Sequence, residues 1–319
     1  MCDNGGAPGN LQRVHNHKSM GRRFVTFGVI VVAAAALSRC GGSSPGSPST
    51  PTNPPVPNNP VPPATLVGAG DIGQCDSPGV AATAALLDRI SGIVFTTGDN
   101  AYPHGTDANF RDCYEPQWGR HLSRTRPVPG NHDYDQGGGG YYNYFGENAG
   151  PFGVGYYSYG AGTWRVIALN SEIPVGPGSG QLQWLRNELA NAPRCTMVYW
   201  HKPLFTSGPN GPNRDMREIW RTLYEFNADL IVNGHDHLYE RFAPQDPDGR
   251  PDPSRGIRQI TVGTGGGQLY TPVMSAPNTE AIGIGFGVLK LTLAESGYQW
   301  EFVPVPGNPF TDRGIGECH

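Results

Sequence analysis

Gly234-His235-Asp236-His237 carries two imidazoles two residues apart, directly after the apolar run Leu230-Ile231-Val232. At a strand end, residues i and i+2 point to the same side, so both rings can face one small volume, as metal binding requires. A lone His-x-His is weak evidence, because such pairs also occupy solvated turns. Four upstream patches strengthen it, each rich in ligand atoms and each behind an apolar run. They are Asp71-Ile72-Gly73, Gly98-Asp99-Asn100-Ala101-Tyr102, Gly130-Asn131-His132-Asp133 and Val198-Tyr199-Trp200-His201. Carboxylate, amide oxygen, phenolate and imidazole suit borderline or hard cations such as zinc, iron and manganese. No cysteine lies within a patch, which disfavours a soft-metal site. The candidate ligands exceed what one tetrahedral ion takes, and they suit two ions sharing a carboxylate. Read singly, Asp71 and Asp99 fit turn carboxylates, Asn131-His132 a turn, His201 a satisfied core histidine and Tyr102 a packing aromatic. Those bland readings would all have to hold together within one ordered pattern, which argues against them jointly.

The elements that must position these patches alternate from residue 64 onward. Short apolar strands are predicted over 65–69, 92–97, 127–129, 164–169, 196–200 and 230–232, and helices over 79–90, 181–191 and 215–225. The first strand, first helix and second strand form a βαβ unit, so the two strands should run parallel. After residue 256 the pattern turns all-β, over 257–262, 287–293 and 298–303, with Glu295-Ser296-Gly297 as a hairpin turn. Sites in open α/β sheets form outside the carboxyl ends of strands. Asp71, Asp99, Asn131, His201 and His235 all fall at such ends. The glycine-rich run 263–267 looks superficially like a phosphate cradle. No helix follows it, so close backbone packing near the site is the expectation.

In this order the five blocks resemble those of the metallophosphoesterases (calcineurin-like phosphoesterases), and within that superfamily the purple acid phosphatase branch. The resemblance covers roughly residues 66–267. Tyr102 discriminates, since Gly-Asp-x-x-Tyr marks that branch. Asp71-x-Gly73 and Leu238-Tyr239-Glu240-Arg241 point the same way. The resemblance implies an α/β fold, a four-layer α/β/β/α sandwich of the metallophosphoesterase type. It implies that Asp71, Asp99, Tyr102 and His237 hold a trivalent ion, typically Fe3+. Asp99, Asn131, His201 and His235 would hold a divalent one (Fe2+, Zn2+ or Mn2+), with Asp99 bridging. His132 would stay off the metals, face the substrate and protonate the departing alkoxide. Asp133 is expected to orient His132, as carboxylates behind a histidine do.

The implied activity is that of an acid phosphatase-like enzyme, hydrolysing phosphate monoesters with a metal-activated hydroxide. Two carboxylates and one phenolate leave such an ion pair net positive, which would attract a phosphate dianion. The blocks do not separate this from a phosphodiesterase or nucleotidase on the same scaffold. A catalytically dead, tethered binding protein is the reading from another class, and the intact ligand set argues against it. The second-sphere histidines that some members carry after the fourth block are missing between Lys202 and Asn213. Their substrate contacts are therefore not carried over. The extra N-terminal β domain of plant members is not expected, since a Pro-rich stretch precedes Leu66.

Composition bounds the rest. Charged residues are 16% of the 319, the net charge is −4 and there is no basic stripe, so no nucleic acid is expected on a basic surface. Residues 1–19 lack apolar periodicity and read as a disordered extension. Residues 20–40 read as a signal peptide: Arg22-Arg23 precede an apolar run, 24–37, that falls short of the roughly 20 residues of a membrane span. Ser38-Arg39-Cys40-Gly41-Gly42 resembles a lipoprotein lipobox, with Arg39 departing from the pattern. Lipidation of Cys40, ordinary cleavage and an uncleaved anchor are the three readings. The Pro/Ser-rich stretch 41–64 is a spacer, either a membrane tether or a plain leader. Residues 65–319 form the catalytic domain. The protein is expected outside the cytoplasm: secreted, periplasmic or a membrane-anchored lipoprotein. Cys75, Cys113, Cys195 and Cys318 fall in the domain, and behind an export signal an even number favours two disulfides. Cys75 and Cys113 both sit just beyond ligand-rich loops and are paired on that ground. That leaves Cys195 with Cys318, which would pin the C-terminus.

Overall fold

The computed structural model describes residues 61–319. The extension 1–19, the signal-like segment 20–40 with Cys40, and spacer residues 41–60 lie outside the described residues. In chain order the strands are β1 (Ala64–Ala69), β2 (Ile93–Thr97), β3 (Thr125–Val128), β4 (Tyr157–Ala161), β5 (Trp164–Ala168), β6 (Thr196–Tyr199), β7 (Leu230–Asn233), β8 (Tyr239–Phe242), β9 (Arg258–Val262), β10 (Thr279–Gly283), β11 (Gly287–Ala294), β12 (Gly297–Pro304) and β13 (Asp312–Glu317). They build two sheets, in the orders β13-β12-β11-β1-β2-β3 and β10-β8-β9-β7-β6-β5-β4. β1, β2 and β3 are parallel. So are β5, β6, β7 and β9.

Strand alternation sorts the apolar side chains into two cores. Val166, Ala168, Met197, Tyr199, Leu230 and Val232 join residues of the first sheet, such as Leu66, Phe95 and Leu291, in one buried cluster. Their neighbours Ile167, Leu169, Val198, Trp200 and Ile231 turn the other way. That second face is covered by the helices Gly180–Ala190, through Leu182, Leu185 and Leu189, and Arg217–Glu225, through Ile219, Trp220 and Leu223. Helix Pro78–Leu87 packs on the first sheet at β11. The result is the four-layer α/β/β/α sandwich. Local chemistry starts the helices where the sequence suggests. Ser77 caps one, followed by Pro78, and Ser179 accepts from Leu182 N in the next. The third is shorter than expected, because a 3-10 turn, Arg214–Met216, precedes it.

Two features position the site. β1 to β3 and β5 to β7 are parallel runs within their own sheets, and donors follow β1, β2, β3, β6 and β7. Trp164 on β5 also stitches the sheets together, its buried indole donating to Ala294 O at 2.7 Å across the sandwich. Strands β4, β8, β10 and β13 carry too little apolar alternation to be read from sequence. β13 pairs all the same, because Tyr298 and Trp300 lay their rings over Gly314 and Gly316, where a β-carbon would collide with them. The three strands expected after residue 256 divide between the sheets: β9 is parallel to β7 in the second, while β11 and β12 extend the first.

Candidate metal centre

Asp71, Asp99, Tyr102 and Asn131 approach from the carboxyl ends of the first sheet's strands, and His201, His235 and His237 from those of the second. Sharp backbone turns aim them. Asp71, Asp99 and His235 have φ of 59°, 50° and 74°, the left-handed region, which costs a side chain roughly 1–2 kcal/mol. Hydrogen bonds hold these turns: Asp71 N donates to Gly98 O, and His235 N donates to Asp71 Oδ2, both at 2.9 Å. Gly98 is required here, since φ is 86° and a β-carbon would lie 2.6 Å from the His201 ring.

The seven donors fall into two groups that share one atom. In the first, Tyr102 Oη lies 3.0 Å from His237 Nε2, 3.1 Å from Asp71 Oδ1 and 3.3 Å from Asp99 Oδ2. His237 Nε2 is 3.2 Å from Asp71 Oδ1. In the second, His201 Nε2 lies 3.2 Å from Asn131 Oδ1, 3.2 Å from Asp99 Oδ2 and 3.1 Å from His235 Nδ1. Bonds of about 2.0–2.3 Å to one ion place neighbouring donors roughly 3 Å apart. Both groups meet that spacing, and Asp99 Oδ2 belongs to each. Asp99, His201 and His235 also converge as a metal-type triad.

Ring orientation fits as well. His201 Nδ1 faces Thr97 O at 2.8 Å and His237 Nδ1 faces Gln268 O at 2.6 Å. A carbonyl only accepts, so each Nδ1 carries hydrogen and each Nε2 is the nitrogen that faces inward, the orientation a ligating imidazole takes. The electrostatics ask for a cation. Burial pulls the His201 imidazolium down, yet Asp99 beside it outweighs this and raises it to about 10. Burial opposes ionisation of Asp99, but His201 overcomes it and keeps the carboxyl low. Burial and the His201 charge push His235 down to about 3. Burial, Asp71 and Asp99 hold the Tyr102 phenol well above its usual range, so a phenolate there needs a strong positive partner. A proton at His201 fills the role that a metal ion would take over, releasing the proton.

His132 sits at the margin. Its Nε2 is 4.0 Å from Asp99 Oδ2, its Nδ1 faces Pro103 O at 2.7 Å, and its ring lies 4.6 Å from that of Tyr102. The side chain is 40% exposed, which leaves Nε2 open to a substrate. The expected role of Asp133 is corrected. Its carboxylate does not orient His132; Pro103 O does that. Asp133 is fully buried and accepts from Asn100 N, Asn100 Nδ2, Ala101 N and Gly130 N. Burial and Asp99 push its carboxyl up to about 7. It ties the Asp99 turn to the Asn131 turn. Asp133→Ala would strand those donors, with an expected loss of about 2–4 kcal/mol in denaturant unfolding. Undiminished stability would show that water replaces the carboxylate.

Sulfur bonds join Cys75 to Cys113 and Cys195 to Cys318. The 263–267 run packs backbone to backbone against the first ligand turn, Gly265 N donating to Gly70 O at 2.9 Å and Gly267 N to Asp71 O at 2.7 Å. Sequence reasoning gave no role to Gln268 or Tyr270, which embrace His237. They follow a glycine run at no spacing that relates them to the histidine. Asn100 stood inside a quoted block, yet its task of holding Asp133 had no local signature.

Comparison with known proteins bears on the family and the fold. The family model for calcineurin-like phosphoesterases matches residues 64–239. Purple acid phosphatase 21 of Arabidopsis thaliana is 28% identical over 230 residues, 64% of this chain and 50% of that protein. An uncharacterized protein of Mycobacterium tuberculosis is 33% identical over 147 residues, 37% of this chain and 28% of that one. The chain thus spans half or less of the length of these relatives. Among solved structures, a purple acid phosphatase from yellow lupin seeds superposes with a TM-score of 0.67 at 20% identity, over 80% of this chain and 54% of that one. A dimetal phosphatase from Danio rerio gives 0.56 at 16% identity, over 82% and 100%. Likeness at such identities bears on the fold alone.

Proposed function

Because this chain belongs to the calcineurin-like phosphoesterases, in their purple acid phosphatase-like branch, we propose that it is an exported phosphomonoesterase with a dinuclear centre. The observation that carries this reading is the sharing of Asp99 Oδ2 between two groups of donors. Asp71, Tyr102, His237 and Asp99 would hold a trivalent ion, and Asn131, His201, His235 and Asp99 a divalent one. When bound, the two ions polarise phosphoryl oxygens and acidify water. The chain's own residues do the rest. Thr97 O and Gln268 O fix the tautomers of His201 and His237. Pro103 O holds hydrogen on His132 Nδ1, so Nε2 of the protonated ring can donate to the ester oxygen as its bond to phosphorus breaks.

Two disulfides favour an oxidising compartment, which supports export. Among the described residues no helix is long and apolar enough to cross a membrane, so a membrane tether would rest on Cys40 and the spacer.

Protein purified without added metal is expected to contain two ions per chain and to show visible tyrosinate-to-iron absorption. Tyr102→Phe should bleach that band while leaving the divalent ion in place. A colourless wild-type protein holding zinc alone would end the purple assignment. A higher turnover of a phosphodiester than of a monoester would move the reading to a diesterase on the same scaffold.

A further inference from the structure

The segment from Gly267 to Tyr270 touches one half of the centre only. Gly267 N donates to Asp71 O at 2.7 Å, and Tyr270 N donates to His237 O at 2.9 Å. Gln268 O receives His237 Nδ1–H at 2.6 Å. The Tyr270 ring lies flat on the His237 imidazole, centroids 4.1 Å apart and planes 6° apart. Gly267 closes on the same ring, so tightly that a β-carbon there would lie 2.9 Å from Cε1 and Nδ1. Gln268 N is fastened in turn to Gln74 Oε1 at 2.9 Å, behind the Asp71 turn. None of these contacts reaches Asn131, His201 or His235 among the described residues. Further on, the segment is tied to Ser207, through Val273 N to Ser207 O at 2.9 Å and Ala276 N to Ser207 Oγ at 2.8 Å. The side chains of Val273 and of Met274 after it are exposed.

A metal-bound imidazole leaves its ion by rotating away from it. A flat ring packed on one face and a carbonyl fixed at Nδ1 oppose that rotation, and outer groups of this kind change metal affinity by about 10–100-fold. We infer that Tyr270 is a positioning residue that locks His237 and sets how long the ion held by Asp71, Tyr102 and His237 is retained, with no effect on its neighbour. The inference rests on the dinuclear reading above. It makes the two ions unequal in a way their direct ligands do not reveal, because His237 has an aromatic ring stacked flat on it as well as a carbonyl at Nδ1, whereas His201 has the Thr97 carbonyl without such a stack.

The test loads wild type, Tyr270→Phe and Tyr270→Leu with iron and zinc, then adds excess EDTA. Mass spectrometry follows each metal and absorbance follows the visible band. Tyr270→Leu should release iron about 10–100-fold faster with zinc release unchanged, and Tyr270→Phe, which keeps the flat ring, should restore the wild-type rate. Iron release from Tyr270→Leu at the wild-type rate overturns the inference. So does an equal acceleration of both ions, which would mark general loosening of the fold. A wild-type protein that binds one ion or none overturns the dinuclear reading itself, and this inference with it.

Discussion

Asp99→Asn is expected to strip the protein of both ions and to lower turnover on the order of a thousandfold or more. Asp99 Oδ2 is the atom common to both donor groups, 3.2 Å from His201 Nε2 and 3.3 Å from Tyr102 Oη. An amide oxygen keeps the shape and removes the charge that makes the position attractive to two cations. Losing several kcal/mol of Lewis-acid stabilisation corresponds to three decades in rate, at about 1.4 kcal/mol per decade. Asp99 Oδ1 accepts from His132 N at 2.8 Å, a bond the asparagine oxygen can keep, so the backbone of the loop should survive. Metal analysis beside steady-state kinetics checks this. Full occupancy of both ions in the variant would show that Asp99 is not the bridge.

His132→Ala is the second large effect, and its signature differs. The ring is half-exposed and its Nε2 stands 4.0 Å from the shared Asp99 Oδ2, so both ions should remain. Turnover of an alkyl phosphate should fall by about 10²–10⁴, the usual contribution of a positioned acid. A nitrophenyl phosphate departs as a stable anion and needs no proton, so its loss should be much smaller. Equal losses on both esters would make His132 a phosphate-binding group instead. Unchanged turnover on both would leave this residue without a catalytic role at the centre.

The donors were legible because their signal is local. Each stands within a few residues of a strand end, and a strand end can be seen in a short apolar run such as Leu230-Ile231-Val232. What was hidden depends on distant partners. β8 runs through Glu240, whose buried carboxylate is held by Ser207 and Thr279, and nothing near residue 240 announces this. The error over Asp133 has the same origin. Its adjacency to His132 suggested a contact, but on the short helix Asn131–Tyr134 neighbouring side chains point apart, and the carboxylate turns inward to Asn100. Tyr270 was missed because it reaches His237 from the loop behind β9, a relation that exists only once two strands have paired.

The left-handed backbone at His235 sets chemistry against robustness at one address. Glycine would occupy it without the steric penalty, and the His235 ring bonds only to His201, whereas the carboxylates of Asp71 and Asp99 accept from His235 N and His132 N and so hold their own turns. In a population of variants screened only for survival of heat, this position is where sequence should drift first. The protein would grow sturdier as its centre emptied. Thermal tolerance is therefore a misleading guide to fitness in this fold, and an ordinary melting curve would rate a blank copy above a working one.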